Sequence, residues 1–200
     1  MSNEPQTQKK RNVASETREK LIQAGLEELT EVGVHAFSTR NVARRCGVSC
    51  ATPYKHFKDT HAFIAEILGY INKLYYARQE VILREYANCS NKRQLLEISL
   101  DYIRFLTEYP QFRQVMMQNF KDCDEEYRCL RGQLSLKTYE AVSRYCEEVH
   151  MPPDVRHRKT FICRSIIYGA AILFGNAEME YNDENMQMVA DMLDREFELN

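Results

Sequence analysis

Apolar residues recur along the chain at intervals of three and four and almost never alternate, a pattern that predicts helices and no sheet. Leu21, Ile22, Gly25, Leu29 and Val32 make one stripe between Glu16 and Val32, with glutamates on the other face. Val42, Ala43 and Cys46 share a face of a short helix over residues 39–46, and a third short helix is expected over residues 50–57. From Thr60 to about Ala87, Phe63, Ile67, Tyr70, Ile71, Leu74, Ile82 and Tyr86 keep helical spacing, as a single rod would. After a break at Asn88–Asn91, the segment Lys92–Glu108 holds too many apolar residues for one face and must be covered on most sides. Tyr109-Pro110 ends it, because the residue before a proline avoids helical angles.

A short helix over Gln111–Phe120 and a turn at Asp122–Asp124 follow, then a long helix to Val149 that Pro152 and Pro153 stop. Asp154 opens the next, expected to reach about Glu180. Glu184–Leu199 closes the chain, with Met186, Val189, Ala190, Leu193 and Phe197 three and four apart. The expected fold is all-α, with nine helices and no internal repeat.

Composition agrees: 200 residues with 44% apolar and 10% aromatic side chains can bury a core, and 7 Gly and 5 Pro leave long uninterrupted segments. The net charge of -2 conceals an asymmetry, since residues 1–60 hold ten Lys or Arg against seven Asp or Glu and the remainder holds 17 against 22. Seven cysteines, an odd number with no CxxC pair, point to a reducing cytoplasm and not to a disulfide scaffold. The first 15 residues are polar throughout, unlike a secretory signal, and Phe161–Gly175, 15 residues interrupted by Arg164, is too short to span a bilayer. No glycine-rich phosphate loop, GxSxG or HExxH occurs, and His35, His56, His61, His150 and His157 do not fall at metal-ligand spacing. The expectation is therefore no catalytic site, no metal and no cofactor.

The informative stretch is Ser38–Phe57. Gly47 supplies the positive φ of a sharp turn, Val48 beside it fills the space between two helices, and Ser49 is placed to cap the next one. Ala43, four residues before the glycine, lets two helices cross closely at a steep angle, as in a helix-turn-helix. The whole run from Arg18 to Phe63 resembles the DNA-binding domain of the TetR family of bacterial transcription regulators. The matching pieces are Arg18, Leu21, Ile22, Ala24, Gly25, Gly33, Ser38, Val42-Ala43, Gly47-Val48-Ser49, Thr52, Tyr54, His56-Phe57 and Phe63. Three positions depart from the family's pattern: Ala51 replaces its usual Gly, Pro53 a larger apolar residue, and Thr60-His61 its Lys-Glu pair. Pro53 has no amide to give the carbonyl of Ser49, so the second helix of the motif is expected to start late.

Residues 1–14 read as a flexible basic arm whose Lys9, Lys10 and Arg11 are placed for a minor groove or a phosphate, ahead of a DNA-binding domain over 15–60 and a ligand-binding and dimerisation domain over 61–200. In such a head Cys50, Ala51, Thr52 and Lys55 are expected at base edges. Tyr54, His56, Ser38, Thr39 and Arg40 are expected at phosphates, with Lys58 standing in for the family's lysine. Ser165, Tyr168, Gly169, Ile172 and Gly175, together with Met186, Val189, Ala190, Leu193 and Phe197, are expected to form a two-fold four-helix bundle with a second copy. A ligand site is implied among Tyr70, Leu74, Tyr102, Phe105, Phe112, Met116, Met117, Phe120, Tyr139, Phe161 and Phe174, and the tyrosines favour an aromatic or amphipathic small molecule. The functional expectation is a homodimeric repressor of a near-palindromic double-stranded operator, released by that ligand. The competing readings are a helical ligand-binding protein or enzyme that lost operator binding, and an architectural DNA binder without inducer.

Overall fold

The computed structural model describes residues 4–118, 125–133 and 135–198. They form nine α-helices: α1 Glu4–Val32, α2 Thr39–Arg45, α3 Thr60–Glu85, α4 Asn91–Glu108, α5 Pro110–Met117, α6 Glu125–Gln133, α7 Leu136–Glu148, α8 Pro153–Gly175 and α9 Asp183–Glu196. Among the described residues there is no strand, and no helix is long and apolar enough to cross a membrane. The all-helical expectation holds, with four differences of extent. Helix α1 reaches back to Glu4 instead of starting near Glu16, because Gln6–Ala14 is rich in helix formers and Pro5 sits in the first turn, where no amide bond is lost. The helix expected over residues 50–57 is only a 3-10 turn at Pro53–Lys55. The long helix expected up to Val149 is two, α6 and α7, parted after Gly132, a poor helix former. Helix α8 ends at Gly175 and not near Glu180, since Ala177 adopts φ 57° and the amides of Ala177 and Glu178 turn back to Phe174 and Leu173.

The chain divides into two compact units. The first comprises Met1–Asn72 and Gln114–Arg131, the second Lys73–Arg113 and Gly132–Asn200. In the first, Leu21, Leu29, Val42, Ala43, Phe63, Ile67 and Ile71 are fully buried. Gly25 is required where α3 crosses α1, because a Cβ there would lie 2.8 Å from the tip of Ile67. Helix α2 is tied to α1 by Glu28, which is 1% exposed and accepts from Asn41 at 2.9 Å and pairs with Arg45 at 3.2 Å. Residues far along the sequence complete this unit. Tyr127 stacks on His61 and donates to its carbonyl at 3.0 Å, Asn72 donates to the carbonyl of Leu130 at 2.7 Å, and Gln118 caps α1 through Leu29 at 2.8 Å.

The second unit is built round α4, which packs on α7, α8 and α9. Its residues Leu95–Ile103 are buried almost without a break, the covering on most sides that its composition predicts. Buried Arg113 donates to the carbonyls of Leu106 at 3.4 Å and Gly175 at 3.0 Å, so one guanidinium serves the C-terminal ends of both α4 and α8. Gly175 leaves room within the protomer for Arg113, which a methyl there would overlap. Met186, Val189, Ala190, Leu193 and Phe197 are also taken, all buried within the protomer. The apolar residues that α8 and α9 leave outside are Phe161 (71% exposed), Ile172, Met188 and Met192. Ser165 is exposed, and Tyr168 and Gly169 are half-buried.

Candidate nucleic-acid interface and ligand cavity

Ser38 caps α2, accepting from the amide of Asn41 at 3.3 Å. Helix α2 stops at Gly47, whose φ of 66° closes the turn, with the amide of Val48 reaching back to the carbonyl of Ala43 at 3.0 Å. Val48 is half-buried beside it, and Phe57 is buried and stacked on Phe63 with ring centroids 4.0 Å apart. Ser49 does not cap a helix. Its hydroxyl pairs with that of Thr52 at 2.9 Å, while its carbonyl accepts the Thr52 amide at 2.9 Å. Pro53 therefore has the predicted effect in stronger form, since the second arm of the motif is a single tight turn held by Lys55 to Thr52 and Phe57 to Pro53.

The expected contact residues fall into three groups. Arg40, Cys50, Ala51, Tyr54, Lys55 and Lys58 are exposed on this hairpin, and Ser38, Thr52 and His56 are half-buried. Thr39 is 5% exposed and its hydroxyl pairs with Thr60 at 3.0 Å, so its side chain is structural and not a phosphate ligand. Arg45 turns away to Glu31, Glu28 and Glu27, while Arg44 pairs with Asn41 at 3.2 Å. Hydrogen bonding to Arg45 holds the Glu31 carboxyl below its usual value. Cys46, half-buried, donates to the carbonyl of Lys20 at 3.5 Å, and burial pushes its thiol up, away from the reactive thiolate. Of the basic arm, the side chains of Lys9, Lys10 and Arg11 lie outside the described residues.

In the second unit a cavity of about 90 Å³ lies between α4, α7, α8 and the end of α9. Leu95, Tyr102, Val142, Tyr145, Ile167 and Phe197 supply much of its apolar wall, and one face of α8 contributes Arg156, Lys159, Thr160, Cys163, Arg164 and Tyr168. Of the ligand residues expected from sequence, only Tyr102 and Tyr139 are there. Phe105, Phe112, Met116 and Phe174 are buried in ordinary packing, while Leu74, Met117 and Phe161 are exposed. Tyr70 accepts from Gln23 at 2.8 Å in the other unit, and Phe120 lies outside the described residues. What the sequence reading missed is the polar side of the cavity. Its signal in the sequence is the recurrence of Arg156, Lys159, Cys163 and Ile167 at three and four along α8. Burial pushes the Cys163 thiol up to about 11 and that of Cys146 up as well, so both cavity thiols are protonated at neutral pH. No group of three His, Cys, Asp or Glu able to hold a metal occurs among the described residues.

Residues 21–67, which enclose the hairpin, match the family model for bacterial regulatory proteins of the tetR family. The N-terminal segment is a TetR-family domain. No curated protein matches the chain in sequence. Solved structures with the TetR-type fold match it in structure. A TetR family transcription regulator from Marinobacter aquaeolei aligns with a TM-score of 0.67 at 18% identity, over 94% of this chain and 97% of its own. The regulator FadR from Bacillus subtilis, in complex with stearoyl-CoA, aligns at 0.65 and 15%, over 87% and 96%. A transcriptional regulator from Saccharomonospora viridis in complex with choline aligns at 0.63 and 18%, over 90% and 96%. At these identities the structures establish a shared TetR-type fold across both units.

Proposed function

We propose that the protein is a homodimeric TetR-type repressor that binds a near-palindromic operator and is released when a small molecule fills the cavity against α8. The observation that carries the reading is the cationic, hydroxyl-bearing surface of the hairpin, Arg40, Tyr54, Lys55 and Lys58, on a segment matching a DNA-binding family. Side chains of this kind neutralise phosphates and reach the major groove. Two such heads on a two-fold axis read two half-sites about one helical turn or more apart, hence the palindrome. Structures of this fold that hold stearoyl-CoA or choline support a ligand-binding role for the second unit.

A random-pool selection of bound duplex, followed by gel shifts over a salt series, tests the reading. Enrichment of an inverted repeat, with affinity falling steeply as salt rises, is expected. Absence of any preferred duplex at low salt overturns it. Lys55→Ala is expected to weaken operator binding by about 1–3 kcal/mol and to relax preference at one base step of each half-site. A uniform loss over all sequences would place Lys55 on phosphate instead.

The second copy is expected on the outer stripes of α8 and α9, Phe161, Ser165, Gly169, Ile172, Met188 and Met192, because the remaining apolar residues of α9 are already buried. Ile172→Arg, at a position 39% exposed in the protomer, should leave the fold intact and convert a dimer to a monomer in sedimentation, with loss of inverted-repeat binding. An unchanged dimer would put the interface elsewhere.

A further inference from the structure

Resting on the proposed role of the cavity as the ligand site, its charge identifies what it takes. The lining carries three cations, Arg156, Lys159 and Arg164, against one carboxylate, Glu196. Arg156 donates to the hydroxyl of Ser143 at 2.9 Å, and Arg164 donates to the Tyr139 hydroxyl at 3.3 Å with its guanidinium 5.9 Å from the Tyr168 ring. Among the described residues neither arginine has a carboxylate within ion-pair distance. Lys159, whose side chain is only 14% exposed, donates to the Glu196 carbonyl at 2.9 Å and stands 3.9 Å from the Glu196 carboxylate, a long and weak pair. An ammonium this enclosed is expected to exchange so distant a partner for one that reaches hydrogen-bond distance.

Most of the remaining wall is apolar, with Ser99, Ser135, Thr138 and Thr160 among the lining residues. Along α8 the lining runs from Arg156 to Tyr168, about 18 Å at the rise of a helix. Arg156 and Lys159 lie at one end, while Arg164, engaged with Tyr139 and beside the Tyr168 ring, lies with Ile167 towards the other. Cys146 and Cys163 contribute protonated thiols, which neither attract a cation nor attack an electrophile.

We infer that the cavity binds a small organic carboxylate with an apolar body, its carboxylate taken by Lys159 and Arg156 in place of the side chain of Glu196. Glu196 is then a built-in competitor, and the two sides of the pair have opposite mutational signs. Octanoate, octan-1-ol and octylamine are the matched probes, titrated by calorimetry into the full-length protein, with the methyl resonances of Leu95 and Val142 reporting where each binds. Octanoate should bind at least about tenfold more tightly than the alcohol, and the amine not at all. Lys159→Gln should cost octanoate about tenfold and leave octan-1-ol unaffected, whereas Glu196→Gln should tighten octanoate several-fold. Glu184→Gln, which removes the same charge from the exposed start of α9, should do neither. A variant that merely loosened the fold would weaken both probes together.

Equal binding of acid and alcohol, or tightening by Glu184→Gln as large as by Glu196→Gln, overturns the inference and leaves the cavity a ligand site for neutral molecules. No shift of the Leu95 or Val142 methyls by octanoate, in protein that still binds its selected DNA, overturns it while the DNA-reading half of the proposed function stands.

Discussion

Phe63→Ala is expected to cost the folded protein about 3–5 kcal/mol, the range for emptying a fully buried aromatic site. Phe63 is 0% exposed, stacked face to face on Phe57 and edge-on to Phe37 with ring centroids 5.5 Å apart. Its ring also lies against Gly25, where a Cβ would come within 3.1 Å of it, so one side chain sets the spacing of α1, α3 and the end of the hairpin. The site is expected to collapse only in part, because the elements round it are also held at other points, α1 to α3 through Gln23 and Tyr70 and α2 to α3 through Thr39 and Thr60. With total stabilities of about 5–15 kcal/mol in domains of this size, such a loss removes a large share of the head's stability. Urea unfolding followed by helix circular dichroism measures it, and DNA binding should fall in parallel. Tyr54→Ala is the contrasting variant: at 55% exposure it should weaken DNA binding with little change in the unfolding midpoint. A Phe63→Ala protein as stable as its parent would mean that the stack does not hold the hairpin to α3.

The second large effect lies in the other unit and depends on pH. Asp101 is 3% exposed, and its Oδ1 accepts from Arg78 at 2.6 Å while its other oxygen is buried without a hydrogen-bond partner. Burial pushes its carboxyl above the usual value, against the pull of Arg78. Desolvation lowers Arg78, but its bonds to Glu108 and Asp101 outweigh this and hold it firmly protonated. A carboxyl whose pKa is raised on folding contributes stability fully below the ordinary aspartate range and loses it as pH rises through the folded value. Arg78→Met keeps the length of the side chain and removes the counter-charge, leaving a buried carboxylate at neutral pH. The expected loss is about 3–5 kcal/mol at pH 7 and clearly less at acid pH, because a buried carboxyl that has lost its counter-charge takes up a proton more readily still. Adding Asp101→Asn should restore most of the loss at pH 7. Equal losses at both pH values, or no recovery in the double variant, would show that Arg78 acts through packing and not through charge.

The hairpin was legible at the level of residues. Gly47, Val42 and Ala43 have the roles their spacing assigns, because a positive φ and a close crossing each admit few side chains. Pro53 was legible as a missing amide, and the tight turn that replaces a helix is the direct result. Thr39 was not legible, since only the position of Thr60 on α3 decides which way its hydroxyl points. The cavity was misread for a related reason. Aromatic residues at helical spacing look alike whether they pack or line a hole, and Phe105 and Phe112 pack where Tyr102 lines.

Sequence by itself determined the helical class, most helix boundaries and the turn of the reading head, because these follow from local periodicity, proline and glycine geometry, and capping. Only the tertiary structure decided that Gln118, Tyr127 and Leu130 finish the head. It also turned Gly175 and the apolar stripe of α9 inward, and brought Arg156, Lys159 and Glu196 round one cavity. Each of these depends on which helix faces which, and a pattern of three and four defines a face without naming its neighbour.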